Sequence, residues 1–244
     1  DGIYNQDLHP NMILLELGGN DAFIVLKDAD IDLAVEEMIW GRMYNTGQVC
    51  CASKRFIVDK TVLKKFETKA VARVKQLVVG NPQNKKTDIG ALITKSACEK
   101  VQAQIKNVVA QGGKILYGGN AKGAQIEPTI ITNIPATANV AKDDEIFGPV
   151  VSIIPCDGVE EAIRIANQSS YGLSGCVFTQ DMKTAFDVCS RLECGGTVIN
   201  GASFFRSFEQ PFGGWKYSGI GNEGVLTTLA EMSRLKTIVL KNIL

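Results

Sequence analysis

Histidine is nearly missing from this 244-residue chain; the only one is His9, close to the first residue. That makes a cysteine nucleophile activated by a neighbouring imidazole, the arrangement of Cys/His proteases and acyltransferases, a poor fit. No C-x-x-C pair occurs among the seven cysteines, so with one histidine no structural metal site is expected. The cysteine count is odd, and most of these residues lie in apolar strings such as Ser174-Gly175-Cys176-Val177-Phe178. Such cysteines read as small buried residues in a reducing, cytoplasmic setting. Net charge is also lacking: 26 bases balance 26 acids. A general nucleic-acid or membrane-surface binder would carry a basic excess, so neither partner is expected. No run comes near the ~18 apolar residues of a membrane span. The opening residues, Asp1 to Asp7, are polar and show no secretory pattern, and no initiating methionine is present. The expectation is a chain processed or cut from something longer.

Strand-like and helix-like segments alternate. Met12–Leu17 and Ala22–Leu26 read as short buried strands, and Asp28-Ala29-Asp30 as a helix start. Ile31, Ala34, Val35, Met38 and Ile39 then keep helical spacing to Met43. Further helices are expected over 62–78, 95–111, 159–167, 182–192 and 225–232. Strands are expected over 55–58, 114–117, 129–131, 150–154, 173–179, 197–200 and 235–240. Strands interleaved with helices of about ten residues predict an α/β fold, a largely parallel layered sheet flanked by helices. Gly201–Ser218 reads as a long loop with aromatics. Gly219-Ile220-Gly221-Asn222-Glu223-Gly224 satisfies G-x-G-x-x-G, but no strand precedes it and the chain nearly ends where the acidic residue of a dinucleotide fingerprint would fall. A turn opening the last helix is the better reading.

Two short strings stand out. Glu16 lies in Leu15-Glu16-Leu17-Gly18-Gly19, and Cys50 in Asn45-Thr46-Gly47-Gln48-Val49-Cys50-Cys51-Ala52. A thiol is mostly protonated at neutral pH unless its neighbours favour the thiolate. A glycine-bearing loop after a helix lets backbone N–H groups surround a sulfur. Cys51 is expected to point elsewhere if the segment is extended. A carboxylate is a weak base unless burial raises its pKa, and Leu14, Leu15 and Leu17 around Glu16 suit a partly apolar setting.

Those strings, together with Asp144-Glu145-Ile146-Phe147-Gly148-Pro149-Val150 and Pro211-Phe212-Gly213-Gly214, resemble the aldehyde dehydrogenase superfamily in order and spacing. Arg191-Leu192-Glu193-Cys194-Gly195-Gly196 and Ile199-Asn200-Gly201 look most like the succinate-semialdehyde dehydrogenases of bacteria. The resemblance implies NAD(P)-dependent oxidation of a small aldehyde through a thiohemiacetal and a thioester on Cys50. Glu16 would activate the water that cleaves the thioester, and the Cys50 N–H would serve the oxyanion. Glu145 would hold the nicotinamide ribose, Phe147 would pack near the nicotinamide, and Leu17 and Gly18 would offer backbone groups beside its amide. Arg206 would anchor a substrate carboxylate, and Phe212 would wall the tunnel.

Family members are about twice this length. The resemblance therefore implies a tail of the cofactor domain over residues 1–17, a catalytic domain over 18–217 and a helix with an oligomerisation strand over 218–244. The implied partners are an N-terminal cofactor domain, whose oxyanion asparagine and adenosine site have no counterpart here, and further copies in a dimer or tetramer. Two alternatives stay open: an assembly fragment without turnover, and an enzyme that passes the acyl group to coenzyme A.

Overall fold

A computed structural model of the chain describes residues 13–242. His9 lies outside them. The central sheet is built from β1 (Asp21–Val25), β2 (Ser53–Asp59), β3 (Lys114–Tyr117), β4 (Thr129–Thr132), β5 (Val150–Cys156), β6 (Ser174–Phe178) and β7 (Gly196–Ile199). Its order is β7-β6-β1-β2-β5-β4-β3. Every neighbouring pair is parallel except β3 with β4. The helices are α1 (Ile31–Met43), α2 (Lys60–Val74), α3 (Lys95–Ala110), α4 (Gly158–Asn167), α5 (Met182–Arg191) and α6 (Val225–Glu231). The α/β reading of the sequence thus holds.

A parallel sheet needs both faces covered, and its central strands are correspondingly apolar throughout. Alternate side chains of one strand feed two separate cores. Phe23 and Val25 pack with Phe56, Phe66 and Phe178 on the side of α1 and α2. Ala22 and Ile24 pack with Val101, Ala162 and Val188 on the side of α3, α4 and α5. The caps are local: the Asp30 side chain accepts from the Asp32 and Leu33 N–H groups at the start of α1, and Thr94 and Asp181 do the same for α3 and α5.

Several expected elements differ. The strand at Leu15–Glu16 is shorter than expected, and pairs antiparallel with Gly219–Ile220. Helix α2 ends at Val74 because the chain turns to let Val79 bridge Ile89. The strand expected over 235–240 is not formed. A strand is held by main-chain bonds to a neighbour, and no described residue supplies one. Leu235, Ile238, Val239 and Leu240 are exposed. The G-x-G-x-x-G run does open the last helix, with Gly224 at its start and Gly221 at φ 79°. None of the helices among the described residues is long and apolar enough to cross a membrane.

Candidate active site

Strands β1, β2 and β5 are neighbours, and each is entered at its amino end by one of the three motif segments. Glu16–Gly19 leads into β1, Gly47–Ala52 into β2 and Asp144–Pro149 into β5. Parallel strands about 4.8 Å apart therefore bring the three segments to one end of the sheet, side by side. Glycines let them touch. Gly47 has φ 75°, and a Cβ on it would lie 2.4 Å from the Gly148 carbonyl oxygen. A Cβ on Gly19 would lie 2.9 Å from the Cys50 carbonyl oxygen, and one on Gly18 2.6 Å from Glu145 Oε2.

Cys50 is half-buried in the turn before β2. Its thiol pKa is pulled down to about 6 by the adjacent Cys51 thiol, by the Cys51 and Cys50 N–H groups and by the Lys54 charge, which together outweigh burial. The segment is a turn and not extended, so Cys51 does not point away as expected. It sits beside Cys50, buried, with its own thiol pushed far up. Its carbonyl accepts from Ser203 Oγ at 2.9 Å.

Glu16 is held by the short pairing with Gly219. Both of its carboxylate oxygens are shut off from solvent with no hydrogen-bond partner among the described residues. Desolvation first, then the charges of Glu223 and Cys50, raise its pKa to about 7, while Arg206 opposes them. Glu223 comes close because Phe212 and Glu223 exchange main-chain hydrogen bonds at 2.7 and 2.6 Å. Glu16 and Cys50 thus lie within each other's electrostatic reach, in a setting that favours a thiolate and a basic carboxylate.

Glu145 Oε1 accepts from the Gly19 N–H at 3.3 Å and pairs with Lys54 Nζ at 3.1 Å. Its Oε2 has no partner among the described residues. Phe147 is exposed, as is Leu17, whose N–H donates to the Ser218 carbonyl. Arg206 stacks on the Phe212 ring at 3.6 Å and makes no salt bridge among the described residues. Both line a cleft of about 210 Å³ that includes Phe204, Phe205 and Ser203.

Residues 3–238 match the sequence model of the aldehyde dehydrogenase family. The chain belongs to that family. It is 42% identical over 228 residues to a lactaldehyde dehydrogenase of Methanocaldococcus jannaschii, covering 93% of this chain and 49% of the relative. It is 39% identical to a 3-sulfolactaldehyde dehydrogenase of Priestia megaterium, covering 93% and 48%. Among solved structures, the glyceraldehyde-3-phosphate dehydrogenase GapN of M. jannaschii, complexed with NADP, is similar with a TM-score of 0.89 and 42% identity, covering 92% of this chain and 49% of that one. A succinate-semialdehyde dehydrogenase of Burkholderia pseudomallei gives 0.86 and 35%, covering 89% and 45%. The chain spans about half the length of the relatives it matches.

In this member of the aldehyde dehydrogenase family, three buried cations around the motifs went unseen in the sequence. Arg42, from α1, donates to the carbonyls of Val150 at 2.7 Å, Ile146 at 2.5 Å, Gly47 at 3.4 Å and Gly148. Arg55 donates to those of Asn20, Ala141, Ile165 and Ala166. Lys54 donates to those of Val49 and Cys50. The available signal was Ser53-Lys54-Arg55 at the head of an apolar strand: charges there must find carbonyls.

Proposed function

We propose that this chain carries the catalytic apparatus of an NAD(P)-dependent aldehyde dehydrogenase that oxidises a small aldehyde to its acid. The observation that supports it best is that the segments entering the amino ends of two adjacent central strands hold a thiol lowered to about 6 and a partnerless carboxylate raised to about 7. On this reading residues 1–17 end a cofactor domain, 18–217 form the catalytic domain, and 218–244 serve assembly into a homo-oligomer.

The Cys50 thiolate attacks the aldehyde carbon. A C–S bond forms, the carbonyl π pair moves to oxygen, and the Cys50 N–H donates to that oxygen. A bound nicotinamide would supply the hydride acceptor for this carbon; with the hydride gone, the oxygen's pair returns to the C=O bond and Cys50 carries a thioester. Glu16 then removes a proton from a water as the water attacks the acyl carbon. The C–S bond breaks, and acid and thiolate are released. A base with a pKa near 7 balances basicity against its ionised fraction at neutral pH.

The residues present suit the nicotinamide ribose. Glu145 keeps Oε2 for a hydroxyl donor, Gly18 leaves the approach open where a Cβ would sit 2.6 Å from that oxygen, and Phe147 offers an exposed ring. Leu17 and Gly18 carry the backbone beside it. Arg206, stacked on Phe212, recognises an anionic or hydroxylated end of the substrate. The relatives are named for lactaldehyde, 3-sulfolactaldehyde, glyceraldehyde-3-phosphate and succinate semialdehyde, small aldehydes with such an end.

The acyl half of the cycle needs no nicotinamide and can be read on the chain itself. An activated ester should acylate Cys50, seen as a mass increase on its peptide, and Glu16→Gln should let that acyl form accumulate. Equal ester cleavage by Cys50→Ala would sink the reading. Accumulation of an acyl-coenzyme A by an active Glu16→Gln enzyme would favour the acylating alternative.

A further inference from the structure

We propose that Lys54 is a positioning residue of this site, its ammonium group tying the nucleophile segment to the carboxylate that faces the coenzyme. This rests on the reading of Cys50 and Glu145 given above. The backbone makes room for it deliberately. Asp21 of β1 lies opposite Ser53, and the next residue, Ala22, lies opposite Arg55. Lys54 is therefore the extra residue of a β-bulge, a feature that redirects a side chain beside a site. Its side chain is 2% exposed, and Nζ lies 2.5 Å from the Cys50 carbonyl, 3.0 Å from that of Val49 and 3.1 Å from Glu145 Oε1. Phe147 lies along the same side chain, with its ring centroid 5.9 Å from Nζ.

One cation thus holds both halves of the site. A neutral side chain would take this donor from the Cys50 carbonyl, leave the Val49 carbonyl only the Ala52 N–H, and release Glu145 from one of the two contacts on Oε1. The charged or titratable groups facing Lys54 are Asp21 from β1, Glu145 from the segment before β5, Arg42 from α1 and Cys50 from its own loop. Desolvation lowers the lysine pKa, and the two carboxylates oppose that. The same charge favours the Cys50 thiolate, alongside the Cys51 thiol. A lysine that only filled space would leave the titration of that sulfur untouched.

The test is the pH profile of Cys50 alkylation by iodoacetamide, followed by peptide mass spectrometry in the full chain without coenzyme. Lys54→Met is expected to raise the midpoint by about one pH unit, a roughly ten-fold slower reaction near pH 5. Lys54→Arg, which keeps the charge, should recover at least half of that shift. A folded Lys54→Met chain with the wild-type midpoint overturns the proposal. If Lys54→Met does not fold, Glu145→Gln decides: with its carboxylate partner gone the ammonium acts more strongly on the sulfur, and the midpoint should fall. An unchanged midpoint in that variant overturns the proposal equally. Failure of the nucleophile reading is distinguishable, since wild-type Cys50 would then show no selective alkylation at all.

Discussion

At the scale of single residues, the site is a matter of which groups are pushed in which direction. Burial drives Cys176 well above the usual thiol value and Cys156 to about 12, whereas Cys50 alone falls, to about 6. At pH 7 iodoacetamide should therefore modify Cys50 ahead of every other cysteine, with a rate that climbs through pH 6 and levels off above pH 7, as peptide mapping would reveal. Glu16 moves the other way, from an ordinary 4.5 to about 7. Below pH 4.5 both folded and unfolded chains hold its proton. Between 4.5 and 7 the unfolded chain releases the proton while the native one keeps it, so stability falls as pH rises across that window. Glu16→Gln removes this slope. Its melting temperature relative to wild type should thus improve steadily from pH 4.5 to 7 and then stay constant, in thermal scans at matched ionic strength. A difference independent of pH would show that Glu16 is not held in its raised state. Cys50 and Glu16 stand out in the sequence as residues in unusual strings, because such strings carry backbone requirements along with chemistry. Arg42, Lys54 and Arg55 do not. A charge reads as solvated until the fold reveals a ring of inward carbonyls; Lys54 and Arg55 at the head of an apolar strand give a local sign of one, and Arg42 gives none.

At the scale of elements, the Cys50 loop crosses the Glu145 segment at a tight joint. Asn45, Thr46 and Gly47 all have positive φ, at 49°, 58° and 75°, and Gly47 packs its missing side chain against the Gly148 peptide. Gly47→Ala meets backbone rather than a movable side chain, so the loops must separate. A loss of about 2–3 kcal/mol in urea unfolding is expected, with an unchanged denaturant slope, together with a higher Cys50 alkylation midpoint as the turn loosens. A wild-type stability for this variant would mean that the two loops are not in register as described. The elements themselves followed the sequence where local signals agree. Helix α1 runs over Ile31–Met43, the span its apolar spacing and the preceding Asp30 predict. The order of the strands was not legible, since alternation of strands and helices dictates parallel pairing but not which strand lies next to which. That order is what brings Glu16, Cys50 and Glu145 to adjacent amino ends. The loop at Cys50 was legible, but the direction of Cys51 was not, for a similar reason: one residue of curvature decides whether two neighbouring side chains diverge or meet.

At the scale of the whole molecule, the described surface is uneven. Val225, Leu226, Leu229 and Met232 from α6, and Leu235, Ile238, Val239 and Leu240 beyond it, are all largely exposed. Single apolar side chains on a surface are ordinary, but a contiguous run of them beside an unpaired backbone is the pattern of a protein contact. The residues at 235–240 were legible as a strand because their apolar content is that of one. They form none here because pairing is a property of two segments, and none of the described residues pairs with them. If a second copy supplies the other, the chain should elute above monomer mass at micromolar concentration in size-exclusion chromatography with light scattering. The double substitution Ile238→Lys and Leu240→Lys should then shift it toward monomer, since like charges at a strand contact oppose pairing. The Cys50 alkylation profile should not move, because the segment touches none of the groups that set it. A wild-type chain that stays monomeric with this segment intact would assign the apolar run to some other covering surface. An association that survives both lysines would place the contact elsewhere on the molecule.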